Sequence, residues 1–266
     1  MLMKRVLPGL IMALLWVLLL FFAPPSVFWL VIVIGGGIAL YEFFKMVDAA
    51  PGSGTRALAI GAGLVPLLCA FNGSPAAVLT GAYLGLLMIV LLVLSRYTRF
   101  ADVFKFVTSA GFAIFYLSLC SAHLILLRFW PDGGVWLFLL TVITAGSDTG
   151  AYYAGRAFGR AKLCPSISPG KTVNGAIGGI ATAALLAVVA ARFLLPAVSS
   201  ATIAVVAILL AAVGICGDLS ESIIKRATGV KDSGTLLGGH GGLLDRIDSL
   251  LLTAPLLFAL LYFGVL

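Results

Sequence analysis

The sequence predicts an all-α fold, a polytopic integral membrane protein of about nine transmembrane helices with its N-terminus in the cytoplasm. Three observations lead there. Of 266 residues, 62% are hydrophobic and 10% charged, whereas soluble domains carry about a quarter charged residues. The apolar residues gather into runs near the ~20 residues that a helix needs to cross a hydrocarbon core about 30 Å thick. The basic residues then fall almost entirely in alternate connections between those runs, as the positive-inside rule requires.

The first run, 6 to 22, follows Lys4 and Arg5 and stops at Pro24-Pro25. A secretory leader would look similar, but no small-residue cleavage site closes the run and further spans follow it, so it reads as a helix. The second, 26 to 44, ends at Lys45. The third, 57 to 71, is short and interrupted by Gly61, Gly63 and Pro66, which makes it the weakest of the set. The fourth, 75 to 94, ends before Arg96 and Arg99. The fifth, 106 to 127, holds His123 alone among apolar residues, which suits a packed histidine. The sixth, 134 to 156, carries Asp148 within its apolar run. The seventh and eighth cover 173 to 195 and 201 to 217, and the ninth 247 to 265. With the N-terminus inside, 15 of the 17 Lys and Arg residues lie on the cytoplasmic side; Arg128 and Arg192 lie outside, each near a span end where it can snorkel.

A net charge of +7 could suggest nucleic acid, but its distribution follows the membrane, and no nucleic-acid partner is expected. Cys69, Cys120, Cys164 and Cys216 are scattered, without metal-ligand or disulfide spacing. No polar linker separates soluble domains. Residues 1–130 read mainly as scaffold, and 131–266 as the part that carries chemistry, within one membrane-embedded unit.

Six of the ten acidic residues lie between 148 and 248, and five of these lie in or beside 220 to 249. A carboxylate at membrane depth is expensive, so Asp148 is a functional candidate by default; a hydrogen-bonding staple between helices is the structural alternative. Gly146 and Gly150 flank it and suit close helix approach. In the loop 155 to 172, Gly170-Lys171-Thr172 resembles the end of a phosphate loop, but Pro165 stands where that motif needs glycine, and the assignment fails. What remains is Lys171 and Thr172 at a helix start, where backbone N–H groups favour an anion; Thr172 could equally be only a cap. If the eighth run continues as helix, Asp218, Glu221, Ser222 and Lys225 share one face. Arg226, Lys231 and Asp232 follow. Gly238-Gly239-His240-Gly241-Gly242 then forms a loop almost without side chains, whose amides could surround an anion. Asp245 and Asp248 flank Arg246 at the start of the last run; acid there also compensates the helix dipole. Carboxylates for a divalent cation, cations for phosphate and glycines for close backbone approach together suggest phosphate transfer at a membrane surface.

These residues closely resemble the signature of the phosphatidate cytidylyltransferase (CDP-diacylglycerol synthase) family: Ser222, Lys225, Arg226, Lys231, Asp232, His240, Gly241, Gly242, Asp245, Arg246 and Asp248 at fixed spacings. The Asp-Thr-Gly from Asp148 and the Ser168 to Thr172 block are also similar, so the likeness covers about the C-terminal half. Gly238 stands where the family commonly has Pro, and Asn174 where it often has Glu. The resemblance implies cytidylyl transfer from CTP to phosphatidate with Mg2+, giving CDP-diacylglycerol and pyrophosphate in phospholipid synthesis. It implies a bacterial inner membrane, a cytoplasmic site and a possible homodimer. On that basis Asp218, Asp245 and Asp248 are metal candidates. Lys225, Arg226, Lys231, Asp232, His240 and Arg246 are catalytic candidates, and Lys171, Thr172, Ser222, Gly241, Gly242 and Asp148 are substrate-binding candidates. A polyprenol-type lipid kinase or an ion-coupled transporter with broken helices are the alternative readings.

Overall fold

The computed structural model describes residues 3–234 and 241–266, with side chains from Gly9 onward. Helices α1 (Met3–Phe21), α2 (Pro25–Val47), α3 (Gly52–Cys69), α4 (Pro75–Arg96) and α5 (Val103–Phe129) come first. Then follow α6 (Gly133–Phe158), strands β1 (Lys162–Cys164) and β2 (Ser168–Thr172), and helices α7 (Val173–Leu194), α8 (Ser200–Ala227) and α9 (Leu244–Tyr262). Each of the nine expected runs therefore coincides with one helix among the described residues. Seven of them, α2 to α8, are long and apolar enough to cross a membrane. In α9 the first two turns carry Asp245, Arg246 and Asp248.

The helix starts follow from local chemistry. Ser74, Asp102, Thr172 and Ser199 each accept a hydrogen bond from a backbone N–H three residues on, at 2.8–3.3 Å. Such caps satisfy donors that the helix leaves unpaired and contribute about 1 kcal/mol each. Proline opens α2 and α4, where its missing N–H costs nothing.

By packing, the chain forms two units. One contains α1 to α5 together with Asp232–Arg246; the other contains Asp132–Lys231 together with Ile247–Leu266. In the first unit Ser233, Leu243 and Leu244 donate hydrogen bonds to Glu42 of α2.

In the first unit, glycines of α4 let it approach α3 closely. A Cβ on Gly85 would stand 2.6 Å from the Ala62 carbonyl oxygen, and one on Gly81 2.9 Å from the Pro66 Cα. Trp29 Nε1 donates to the Leu67 carbonyl at 2.9 Å, tying α2 to α3. In α5, residues Ala113–Leu119 form a π-helical stretch, a widening that sequence periodicity does not announce.

In the second unit, α6 and α7 meet along a seam of small residues. A Cβ on Gly150 would collide with Thr182, one on Gly178 with Ala154, and one on Gly179 would lie 2.6 Å from the Ser147 carbonyl oxygen. Small residues allow this main-chain approach, the usual device where neighbouring lipid is as apolar as the helices. Between α6 and α7 the expected loop is instead an antiparallel hairpin, with Lys162 opposite Thr172 and Cys164 opposite Ser168.

Candidate active site

A cavity of about 620 Å³ opens in the second unit, between the C-terminal end of α6, the hairpin, the first turn of α7 and α8. Asp148, Arg156, Lys162, Lys171, Thr172 and Asp218 line it. Lys171 Nζ lies 2.6 Å from Asp218 Oδ2, with both side chains about a quarter exposed. Residues from the sixth run, the hairpin and the eighth helix, separated by up to 70 positions in sequence, therefore share one polar chamber.

Each wall has a local cause. Thr172 is buried and is the N-cap of α7, its hydroxyl accepting from the Gly175 N–H at 3.1 Å. Its side chain thereby caps the helix start. Asn174 Nδ2 donates to the Phe158 carbonyl at 2.5 Å, closing the end of α6 onto the start of α7. A glutamate there could not donate that bond while ionised, so this departure from the resembled pattern has a structural role. Arg156 reaches the Tyr152 hydroxyl at 3.3 Å. The β2 strand delivers Lys171 to the chamber, and β1 delivers Lys162.

Helix α8 runs unbroken to Ala227, so the expected common face exists. Glu221 is completely buried and pairs with Lys225 at 2.5 Å. Ser222 is half-buried one position along. Arg226 Nε donates to the Ile167 carbonyl at 3.3 Å, linking the end of α8 to the hairpin turn. Lys231 is exposed. Gly217, next to Asp218, lets α9 come close: a Cβ there would lie 2.6 Å from the Asp248 carbonyl oxygen. The Asp248 carboxylate is within electrostatic range of Asp218, Asp148 and Lys225. Its Oδ1 also accepts from the Ser249 N–H at 2.6 Å.

In the first unit, Asp245 Oδ2 accepts from the Ser233 N–H and hydroxyl, both at 3.0 Å, and from the Gly242 N–H at 2.8 Å. Gly241 has φ +77°, a conformation that glycine adopts without steric cost. Asp232 and Arg246 are exposed. His240 lies outside the described residues, as do Gly238 and Gly239.

Among the described residues, no group of three His, Cys, Asp or Glu side chains is gathered to hold a metal. Asp218 and Asp248 belong to the second unit and Asp245 to the first. Three further residues have places that local sequence does not announce. Arg156 and Lys162 line the cavity; they had been read only as positive-inside charges. Glu42, buried in α2, holds the ends of the 233–244 segment. An acid within an otherwise apolar run was its available signal, the same one that singled out Asp148.

Comparison with known proteins agrees with this chemistry. The Cytidylyltransferase family model matches residues 3–263. The chain belongs to the cytidylyltransferase family. Relatives of this cytidylyltransferase-family chain include phosphatidate cytidylyltransferases of Haemophilus influenzae, 44% identical over 141 residues, and of Pseudomonas aeruginosa, 42% identical over 140. These matches cover 51% and 52% of the chain and 49% and 52% of the relatives. The Bacillus subtilis phosphatidate cytidylyltransferase is 38% identical over 177 residues, 66% of the chain and 65% of that relative. The cytidylyltransferase-family chain thus spans about half to two thirds of the length of these curated relatives.

Proposed function

We propose that the protein transfers the cytidylyl group of CTP to phosphatidate, releasing pyrophosphate and forming CDP-diacylglycerol for phospholipid synthesis. The observation that carries the reading is the cationic chamber holding the Lys171–Asp218 pair with Asp148, Arg156 and Lys162. Family membership and the relatives' names support it.

The substrates require little covalent help. An anionic phosphate oxygen of phosphatidate attacks the α-phosphorus of CTP; the bond to the bridging oxygen breaks, and pyrophosphate leaves with the electron pair. Catalysis is then mostly positioning and charge neutralisation. Lys171, Arg156 and Lys162 neutralise phosphate oxygens in the chamber, with Lys225, Arg226, Lys231 and Arg246 proposed as further cations for the triphosphate and the lipid headgroup. Ser222, Gly241, Gly242 and the Thr172 turn offer polar or close-approach surface to the substrates. Asp232 and His240 complete the proposed catalytic set. Asp148 orients polar groups on the lipid side of the site.

The carboxylates fit Mg2+, which binds protein through one or two carboxylates and completes its shell with water and substrate phosphates. Asp218 and Asp248 are the favoured holders, with Asp245 as a further candidate, and the ion would supply Lewis-acid stabilisation of charge on the phosphates. In this reading all nine helices cross the bacterial inner membrane, with the N-terminus and site facing the cytoplasm. A homodimer is the proposed assembly.

The test is incubation of purified protein with phosphatidate, each nucleoside triphosphate in turn, and Mg2+ or chelator. Label from the α-phosphate of CTP should enter lipid in a Mg2+-dependent reaction with release of pyrophosphate. Entry of γ-label would replace the proposal with a lipid kinase. Transport into liposomes without nucleotide turnover would replace it with a carrier.

A further inference from the structure

Glu42 belongs to α2, in the half of the chain that the sequence assigns to scaffold, and it is 5% exposed. Its oxygens face donors from two parts of the signature segment, Ser233 and Leu243-Leu244. The Ser233 hydroxyl donates to Oε2 at 3.2 Å, the Leu243 N–H to Oε1 at 3.1 Å and the Leu244 N–H to Oε2 at 3.0 Å. Two of these donors lie at the beginning of α9, where first-turn N–H groups have no partner within the helix. The glycines around it follow from this approach. A Cβ on Gly234 would lie 2.5 Å from Glu42 Oε1, and one on Gly242 2.5 Å from Oε2. Ser233 also donates to Asp245, so the two carboxylates share one hydroxyl.

We infer that Glu42 is a positioning residue for the reaction: its carboxylate clasps residue 233 to residues 243 and 244, and so fixes where Gly242, Asp245 and Arg246 stand. This rests on the cytidylyl-transfer reading for what the clasp serves, though the clasp itself can be measured without it. A buried carboxylate could simply stabilise the helix packing. The distinction is that, among the described residues, its three side-chain hydrogen bonds go to Ser233, Leu243 and Leu244 and none goes to another helix of the first unit.

The test uses the full chain in detergent micelles, as wild type, Glu42→Gln, Ser233→Ala and the double variant. Glu42→Gln keeps the shape but turns an NH2 toward donors. CTP turnover in Glu42→Gln should fall at least tenfold. Amide exchange at 243 and 244 should quicken at least tenfold, while exchange within α3 and α4 stays unchanged. The double variant should be no slower in turnover than Glu42→Gln alone, because both changes release the same segment. If Glu42→Gln retains turnover within twofold, or if exchange quickens equally throughout α2 to α4, the inference is overturned. If Glu42→Gln fails to fold, Ser233→Ala decides by the same two readouts: faster exchange at 243–244 with reduced turnover supports the clasp, and wild-type values for both overturn it. A wild-type protein without CTP turnover would defeat the proposed function, and the exchange measurement would then decide the clasp by itself.

Discussion

Replacing Lys171 by methionine removes one charge from the chamber while keeping much of the side-chain volume. The effect on folding follows from the exposure of the pair, 24% for Lys171 and 30% for Asp218. Exposed pairs contribute about 0.2–1 kcal/mol, and breaking a buried pair costs about 3–5 kcal/mol; a pair between these limits should cost about 1–2 kcal/mol. The effect on catalysis should be larger. A hydrogen bond to a charged group contributes about 1.5–3 kcal/mol, which at about 1.4 kcal/mol per tenfold is a loss of roughly 10- to 150-fold in kcat/KM for CTP. The assay is the initial rate at which α-labelled CTP enters lipid, with thermal unfolding in the same detergent as the folding control. A rate within threefold of wild type would refute the phosphate role. So would recovery in the exchanged pair Lys171→Asp with Asp218→Lys, because a pair that works in either order is only a staple.

Three further outcomes follow from the geometry. Glu221→Ala should destabilise the protein by about 2–4 kcal/mol by removing the buried partner of the largely covered Lys225, whereas Glu221→Leu with Lys225→Met should recover much of that loss in a denaturation assay. Gly150→Val should cost about 1–3 kcal/mol through overpacking of the α6–α7 seam and should also slow turnover, since the same helices line the cavity; full activity with unchanged unfolding would contradict the collision with Thr182. Asn174→Glu should lose about 1 kcal/mol at neutral pH by replacing a donor to the Phe158 carbonyl with an acceptor, and the deficit should shrink as the pH falls far enough to protonate the glutamate.

The helices were legible because lipid imposes a one-dimensional requirement, a run of apolar residues long enough to cross, and charge punctuates it. Even the third run, with Gly61, Gly63 and Pro66, forms a helix, and its Gly63 serves close packing, since a Cβ there would lie 2.9 Å from the Leu40 side chain of α2. The continuation of α8 through Asp218 to Lys225 was legible from the i, i+3, i+4, i+7 spacing of its polar residues. Asp148 and Asp218 stand out in the sequence as carboxylates in apolar runs and Lys171 as a cation at a helix start, and the structure brings all three to one cavity. Other features were hidden for physical reasons. The hairpin strands have three and five residues and no apolar alternation to mark them. Glu42 carries the same signal as Asp148, an acid within an apolar run, but two of its partners are backbone amides about 200 positions away, which no local pattern encodes. Arg156 and Lys162 were concealed by a rule that already explained them, since any cytoplasmic loop is expected to be basic.

The π-helical stretch Ala113–Leu119 carries a consequence for how this chain tolerates length changes. An α-helix advances about 100° per residue, so deleting one residue from an ordinary span swings everything beyond it onto a different face. A π turn already holds a surplus residue relative to its α-helical neighbours. Removing one position between 113 and 119 would let that turn relax to ordinary winding while Cys120–Phe129 keeps its orientation. This stretch is therefore where α5 can shorten by a single residue without re-aiming its C-terminal half.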